Sequence, residues 1–110
     1  MNGAPLTARE AYQPLRDVAM GISAMRQVSL QRDAGGDEVR LTVEIDGWTM
    51  IVCMIGGSLD RCDSCTSPQG RSGSSRVWAR YGTDPTALLS AWERAQLEQQ
   101  LNAEGFRSPH

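Results

Sequence analysis

The feature that most constrains the fold is an alternating run of side chains followed by a turn and an apolar run. Over 38–45, apolar residues occupy every second position and polar residues the others, which is typical of a strand with one buried face. Asp46-Gly47 is a strong signal for a type I′ hairpin. Residues 48–55 are almost continuously apolar, which is typical of a covered, central strand. The sequence therefore predicts an antiparallel hairpin in the middle of the chain.

Further strands are predicted on both sides of this hairpin. Residues 27–32 alternate apolar and polar side chains, and residues 59–66 form a fourth, shorter strand after a Gly-Gly break. The Ser/Gly-rich stretch 72–75 is predicted to be mobile, and one helical turn is predicted at 75–81. The strands together predict a three- to four-stranded antiparallel meander over 27–66.

An N-terminal helix is predicted before the meander. Thr7 and Glu10 have the spacing of a capping box, in which each side chain satisfies a backbone N–H of the first helical turn. Pro14 removes one backbone donor inside the helix, so the helix either bends there or begins near it. We expect a helix over 8–20 with a bend.

A long C-terminal helix is predicted over 85–103, because Thr83-Asp84-Pro85 has the pattern of a cap followed by a first-turn proline. In one continuous helix, Leu97 and Leu101 would be rotated by roughly half a circle from Leu88 at about 3.6 residues per turn. These two leucines are therefore expected to contact the N-terminal helix, a second copy of the chain or another protein.

Together these elements predict a single α+β domain over 1–110, in which the meander packs against the N-terminal helix and the long C-terminal helix. The side chains expected in its core are Val39, Leu41, Val43, Trp48 or Met50, Val52, Leu88, Leu89 and Trp92.

Charge and composition limit the classes of function. The formal net charge is −2 and the sequence pI is near 5.3, which disfavours direct binding to DNA or RNA. The sequence has no apolar run of the roughly 20 residues that a membrane span requires, and its N-terminus lacks the features of a secretory signal. An odd number of cysteines, three, fits a reducing compartment. A cytoplasmic protein without a membrane partner is expected.

Cys62-Asp63-Ser64-Cys65 has the spacing of half a zinc site or of a redox pair. Structural zinc needs four ligands. Cys53 and His110 would complete that number by count, but they do not form a second C-x-x-C or H-x-x-x-H pair. The neighbouring carboxylates of Asp60 and Asp63 oppose a reactive thiolate, although Arg61 acts in the other direction. We expect no bound cofactor, with zinc on Cys62 and Cys65 as the alternative.

Catalysis is not expected from the residues available. His110 is the single histidine, so no Ser-His-Asp or Cys-His pair is credible. Glu38 and Glu44 fall on the predicted solvent face of a strand, where an acid–base pair would not be formed. The sequence predicts that the protein is not an enzyme.

Six short segments form a distinctive set, and they are residues 6–10, 15–19, 44–48, 59–65, 68–71 and 80–85. Together they resemble a family of small uncharacterised bacterial proteins that carries a domain-of-unknown-function label. The resemblance runs from about Leu6 to Leu101, and Asp46-Gly47-Trp48 and residues 81–85 are its most specific parts. Pro14 stands where an apolar helix residue is expected, and residues 54–57 stand where an acidic segment often occurs. The resemblance implies no activity.

The leading hypothesis is a non-catalytic, inhibitor-type domain that binds a larger protein, a class that includes phage- or mobile-element-encoded inhibitors such as anti-CRISPR proteins. The alternatives are a toxin-immunity protein, a zinc- or redox-responsive module, and a homodimeric scaffold built on exposed Leu97 and Leu101 and an uncovered strand edge. The candidate partner-binding residues are Asp60, Asp63, Arg71, Arg76 and Arg80.

Overall fold

A computed structural model describes residues 5–32 and 35–105 of the chain. In chain order the elements are helix α1 (Ala8–Ala19), strands β1 (Arg26–Arg32), β2 (Glu38–Ile45), β3 (Trp48–Ile55), β4 (Ser58–Thr66) and β5 (Ser72–Ser74), helix α2 (Ser75–Ala79), a 3₁₀ helix (Pro85–Leu88) and helix α3 (Ala91–Gly105). No helix in these described ranges has the length and apolar character needed to cross a membrane.

The strands form one antiparallel sheet in the order β1-β2-β3-β4-β5. This confirms the predicted α+β class, with helices at both ends of the chain, but the sheet has five strands rather than three or four. The central hairpin turns at Asp46 and Gly47, whose φ angles of 48° and 85° are the positive values that a type I′ turn requires.

The fifth strand occupies the stretch that was predicted to be mobile. Ser72, Gly73 and Ser74 pair with the last residues of β4, and the Ser72 carbonyl accepts a hydrogen bond of 2.9 Å from the Leu6 backbone N–H. A Cβ atom at Gly73 would lie 2.8 Å from the Leu6 carbonyl oxygen and 3.0 Å from Trp78 Cζ2. The prediction was wrong because this glycine permits a close approach between segments, rather than flexibility.

The core lies on one face of the sheet, beneath α1 and α3. Strand β2 alternates as predicted, so Leu41 and Val43 point into the core with Val52 of β3. Leu15 of α1 and Leu97 of α3 cover them, and both are at most 1 % exposed. Met50 is fully buried, whereas Trp48 is half-buried against the same core.

Helix α1 begins with the predicted capping box. The Glu10 N–H donates to Thr7 Oγ1 over 3.1 Å, and the Thr7 N–H donates to Glu10 Oε1 over 2.9 Å. The helix continues through Pro14, which is buried, and ends at Ala19, one residue before the predicted end. The capping box and the buried face of the helix therefore outweigh the backbone hydrogen bond that proline cannot make.

The predicted single helix over 85–103 is instead two helices with a break between them. Leu89 has an extended ψ of 139°, and a second capping box, formed by Ser90 and Glu93, starts α3. Because of this break, the two helices do not share one axis, and the faces they bury are independent of each other. Leu97 and Leu101 are consequently buried at 0 % and 1 % exposure, whereas Trp92 is 56 % exposed.

Two predictions fail for this reason. Neither Leu88 nor Trp92 belongs to the core, and Leu97 and Leu101 are not available for a homodimer interface. Both leucines instead pack in the same cluster as Leu15 and Val18 of α1, which confirms the first of the three contacts expected for them. The S-x-x-E spacing of residues 90–93 is the sequence signal that marks the true helix start.

Polar side chains cover the part of the β4 edge that β5 does not reach. The Leu59 N–H donates to Glu98 Oε2 over 2.8 Å, and Arg94 donates to the Leu59 carbonyl. The Cys62 N–H donates to the Asp84 carboxylate at 3.2 Å, and the same carboxylate caps the 3₁₀ helix by accepting from the Thr86 N–H. These bonds satisfy backbone groups that would otherwise offer an open strand edge.

Candidate functional site

An apolar groove lies between the start of α1, helix α2 and the 3₁₀ helix. Its cavity volume is about 530 Å³. Leu6 and Trp78 are buried at its base, and Val77, Tyr81 and Leu88 line it further out. The lining brings together residues from three separate segments of the chain, so the groove exists only in the folded protein.

The base of the groove is fixed by polar and steric contacts. The Trp78 indole N–H donates to the Leu6 carbonyl over 2.9 Å, so the buried indole has its partner inside the protein. Leu6 is in turn bound to β5 through its backbone N–H, and Gly73 allows both residues to approach that strand. These contacts preform the base of the groove.

Tyr81 is the most exposed aromatic residue of the groove, with 79 % of its surface accessible. It follows the C-cap residue of α2, and Gly82 then turns the chain with a φ of 70°. An exposed aromatic ring beside an apolar groove is a feature of protein-binding surfaces, because its large flat area becomes buried on association.

Three exposed arginines, here called the rim, either line this groove or are adjacent in sequence to residues that line it. Arg9 is part of its lining, Arg76 lies on α2 next to Val77, and Arg80 is the C-cap residue of α2, next to Tyr81. Within the part of the chain that the structure describes, none of the three arginines makes an ion pair or a side-chain hydrogen bond. The groove therefore has an apolar base and a positive rim.

Arg71, which was predicted to bind a partner with Arg76 and Arg80, makes contacts inside the protein. Its guanidinium donates two hydrogen bonds to the Glu10 carboxylate, at 2.9 and 3.1 Å, and a third to the Pro5 carbonyl at 3.3 Å. The Arg71 hydrogen bond is the main cause that lowers the pKa of Glu10. Arg71 thus ties the start of α1 to the loop before β5.

Asp60 and Asp63 lie elsewhere, on the outer face of the sheet that the helices leave uncovered. Each is the extra residue of a bulge in β4, where the pairing with β3 shifts by one position. Arg61 binds Asp60 at 2.8 Å and Glu38 at 3.2 Å, and Arg40 lies 3.6 Å from Asp63. The structure therefore separates the two predicted acidic residues from the predicted arginines.

The same bulges explain how Cys62 and Cys65 come to share a face. A regular strand would turn residues three positions apart to opposite faces, but the extra residue Asp63 restores the orientation, so both thiols point into the core beside Leu59. Both cysteines are free. Burial raises the pKa of the Cys62 thiol well above its usual range and raises the pKa of Cys65 to about 12.

Cys53 is also buried, but under the outer face of the sheet. Its neighbours across the strands are Arg40 and Arg61. Burial raises the pKa of the Cys53 thiol, and a hydrogen bond with Arg40 opposes that rise. The chain thus holds its three thiols in surroundings that favour the protonated form at neutral pH.

Among the described residues, no three His, Cys, Asp or Glu side chains are grouped so that they could hold a metal ion. His110, counted above as a fourth ligand, lies outside those residues. The zinc hypothesis for Cys62 and Cys65 therefore stays a prediction.

The groove residues Arg9, Val77 and Tyr81 were not predicted as functional. A signal exists for part of this set, since Arg76 and Arg80 and then Val77 and Tyr81 are each spaced by four residues, which places each pair on one side of a helical turn. The contribution of Arg9 has no such signal, because only the tertiary fold brings α1 next to α2.

The fold and the groove define a small α+β domain with a preformed apolar surface groove. The chain belongs to the DUF7693 family, described as a domain of unknown function, and the match covers residues 5–103. This confirms the predicted membership in a family of unknown function, while the bacterial origin stays a prediction. No curated protein and no solved structure matches the chain.

Proposed function

We propose that this chain is a non-catalytic, inhibitor-type protein-binding domain that contacts a larger protein through the groove between α1, α2 and the 3₁₀ helix. The observation that carries the proposal is the exposure of Tyr81 beside this preformed apolar groove. An aromatic ring that is exposed to water contributes little to the stability of the free chain, whereas a partner would bury it.

The composition of the groove supports a protein partner. Aromatic residues and arginines are enriched at the centres of protein interfaces, and a rigid base reduces the entropy that binding must overcome. Trp78 cannot change position easily, because its ring is packed against Gly73 and its N–H is bound to Leu6. The groove thus offers a fixed shape rather than an adaptable one.

The experiment is an affinity capture from host lysate with chemical cross-linking, comparing the wild type with Tyr81→Ala and with Trp92→Ala. Trp92 is a matched control because it is an exposed aromatic residue outside the groove. We expect the wild type and Trp92→Ala to retain one stoichiometric partner and Tyr81→Ala to lose it. Equal retention by Tyr81→Ala and the wild type would contradict the proposal.

The inhibitor class is tested by the activity of the captured partner. A nuclease toxin that loses activity in the presence of the chain would favour the toxin-immunity hypothesis, and a CRISPR effector that does so would favour the anti-CRISPR hypothesis. In both cases the Tyr81→Ala variant should inhibit less. A partner whose activity the wild type leaves unchanged would argue for a scaffold instead of an inhibitor.

The other hypotheses are measured on the same preparations. Zinc near one equivalent that disappears in the Cys62→Ser, Cys65→Ser double variant would favour the metal module. A mass that rises with concentration in light scattering would favour a homodimer formed at the edge strand β1, since Leu97 and Leu101 are buried. We include a reducing, cytoplasmic setting in the proposal, which the free thiols of Cys53, Cys62 and Cys65 suit.

A further inference from the structure

The arginines of the chain fall into two groups that differ in their contacts. Among the described arginines, Arg9, Arg76 and Arg80 have no polar partner, whereas every other one makes a hydrogen bond, an ion pair or an electrostatic contact within the chain. Arg9 lines the groove, and Arg76 and Arg80 directly precede Val77 and Tyr81, which also line it. This coincidence would not be expected if the arginines were distributed for solubility alone.

We infer that the segment bound in this groove is an acidic stretch of polypeptide with one large apolar side chain as its anchor. The inference rests on the proposed function and specifies the chemistry of the partner. The apolar base formed by Leu6 and Trp78 would accept the anchor, and the guanidinium groups of the rim would pair with carboxylates on either side of it.

The size of the groove agrees with a short segment rather than a whole protein face. Its volume of about 530 Å³ is within the range of roughly 300–1,000 Å³ that is usual for pockets that bind small ligands. A side chain that enters it would displace water from Leu88 and Val77 as well as from the base. Apolar burial would then supply affinity, while the rim would select the charge of the flanking residues.

A single-stranded nucleic acid is the competing occupant, since bases can stack on an exposed tyrosine near arginines. The base of the groove is apolar, however, and is not a track along which a phosphate backbone could lie. The observations therefore favour an acidic peptide.

The test is fluorescence anisotropy with three labelled probes on the purified full chain. The first is a short peptide in which aspartates and glutamates flank one central leucine, the second has lysines in place of the acidic residues, and the third is an oligothymidylate. We expect the acidic peptide to bind and the lysine peptide to bind at least about fivefold more weakly. Added salt should weaken the binding of the acidic peptide.

Arginine variants assign the binding to the rim. We expect the affinity for the acidic peptide to fall by about twofold to fivefold in each of Arg9→Gln, Arg76→Gln and Arg80→Gln, which is the range for exposed charge pairs. Arg26→Gln is the control, because Arg26 is exposed on β1, a strand that contributes no residue to the groove lining. All four positions are exposed, and circular dichroism of each variant verifies that it folds.

Three outcomes would overturn the inference. They are equal binding of the acidic and lysine peptides, tighter binding of the oligothymidylate with dependence on Tyr81, and an acidic peptide whose affinity is unchanged in all three groove variants. The two proposals can fail separately. If a partner is captured through Tyr81 but the acidic peptide does not bind, only the inference about its charge fails, whereas capture that is independent of Tyr81 contradicts the groove itself.

Discussion

The groove and the outer face of the sheet use the same residue type in opposite ways. On the outer face, Arg40 and Arg61 lie on the strands that flank β3, and they pair with Glu38, Asp60 and Asp63. At the groove, the arginines have no such partners within the described chain. The outer face therefore satisfies its own charges, and the groove leaves charge available to another molecule.

The difference follows from the elements that carry the residues. Neighbouring strands hold side chains at fixed distances of about 4.5–5.5 Å, so opposite charges at facing positions meet without further ordering. Helix α2 has only five residues, and its first turn contains no acidic side chain. A charge-matched sheet face stabilises the fold, whereas an unmatched short helix is suited to recognition.

The largest loss of stability is expected for a substitution at the base of the groove. Trp78→Ala should lower the free energy of unfolding by about 3–5 kcal/mol, because Trp78 is 2 % exposed and its removal leaves a cavity and an unpaired Leu6 carbonyl. Trp92→Ala should change it by no more than about 0.5 kcal/mol, since Trp92 is exposed. Denaturant titration measures both. Equal losses would show that the groove has no fixed base.

A smaller loss of stability is expected on substitution of Arg71, which joins the groove region to the rest of the fold. Arg71→Met should destabilise the chain at neutral pH by about 1 kcal/mol, because it removes a two-point contact with Glu10 that is partly exposed. Equilibrium unfolding of both proteins at a series of pH values measures this loss.

The pH dependence of that loss has a definite sign. The pKa of Glu10 in the folded chain is below its ordinary value of 4.5, so its contact with Arg71 contributes full stability above pH 4.5 and loses it as the pH falls through the folded pKa. The difference between wild type and Arg71→Met should therefore shrink below pH 4.5. A difference that stays constant with pH would mean that Arg71 acts through packing and not through the charge of Glu10.

The smallest loss of stability is expected when a paired arginine, Arg61, is substituted, and an unpaired one, Arg80, serves as the comparison. Arg61→Met should cost about 0.5 kcal/mol at low salt, because three carboxylates of the outer face lose their shared cation, and the loss should decrease as salt is added. Arg80→Met should show no salt-dependent loss of stability. Thermal unfolding at two salt concentrations distinguishes them, and matching losses would remove the distinction between the two surfaces.

Much of the fold could be predicted, because the signals are local. The alternation in β2, the Asp46-Gly47 turn and the capping box at Thr7 and Glu10 each depend on residues that are close in sequence, and the structure contains all of them. The second capping box, at Ser90 and Glu93, is equally local and was overlooked in favour of the Asp84-Pro85 signal. That error made one helix out of two and placed Trp92 in the core.

The candidate site could not be predicted in the same way. From the sequence, Arg71 and Arg76 are both expected to be exposed. Only Arg71 forms an ion pair with Glu10, which is distant in the chain. Asp60 and Asp63 were predicted to bind a partner together with the arginines, but the β4 bulges turn them to the outer face of the sheet. Charge counts along the chain do not show which charges will be neighbours.

Local sequence patterns and composition specify strands β1 to β4, the central turn, the start of α1 and the slightly negative net charge, since these depend on period, turn chemistry and residue counts. Only the tertiary fold brings Gly73 into close contact with Leu6, buries Leu97 and Leu101, and leaves the three rim arginines without a partner among the described residues. These properties depend on which distant segments pack together, and packing is determined by the whole core at once rather than by any local pattern.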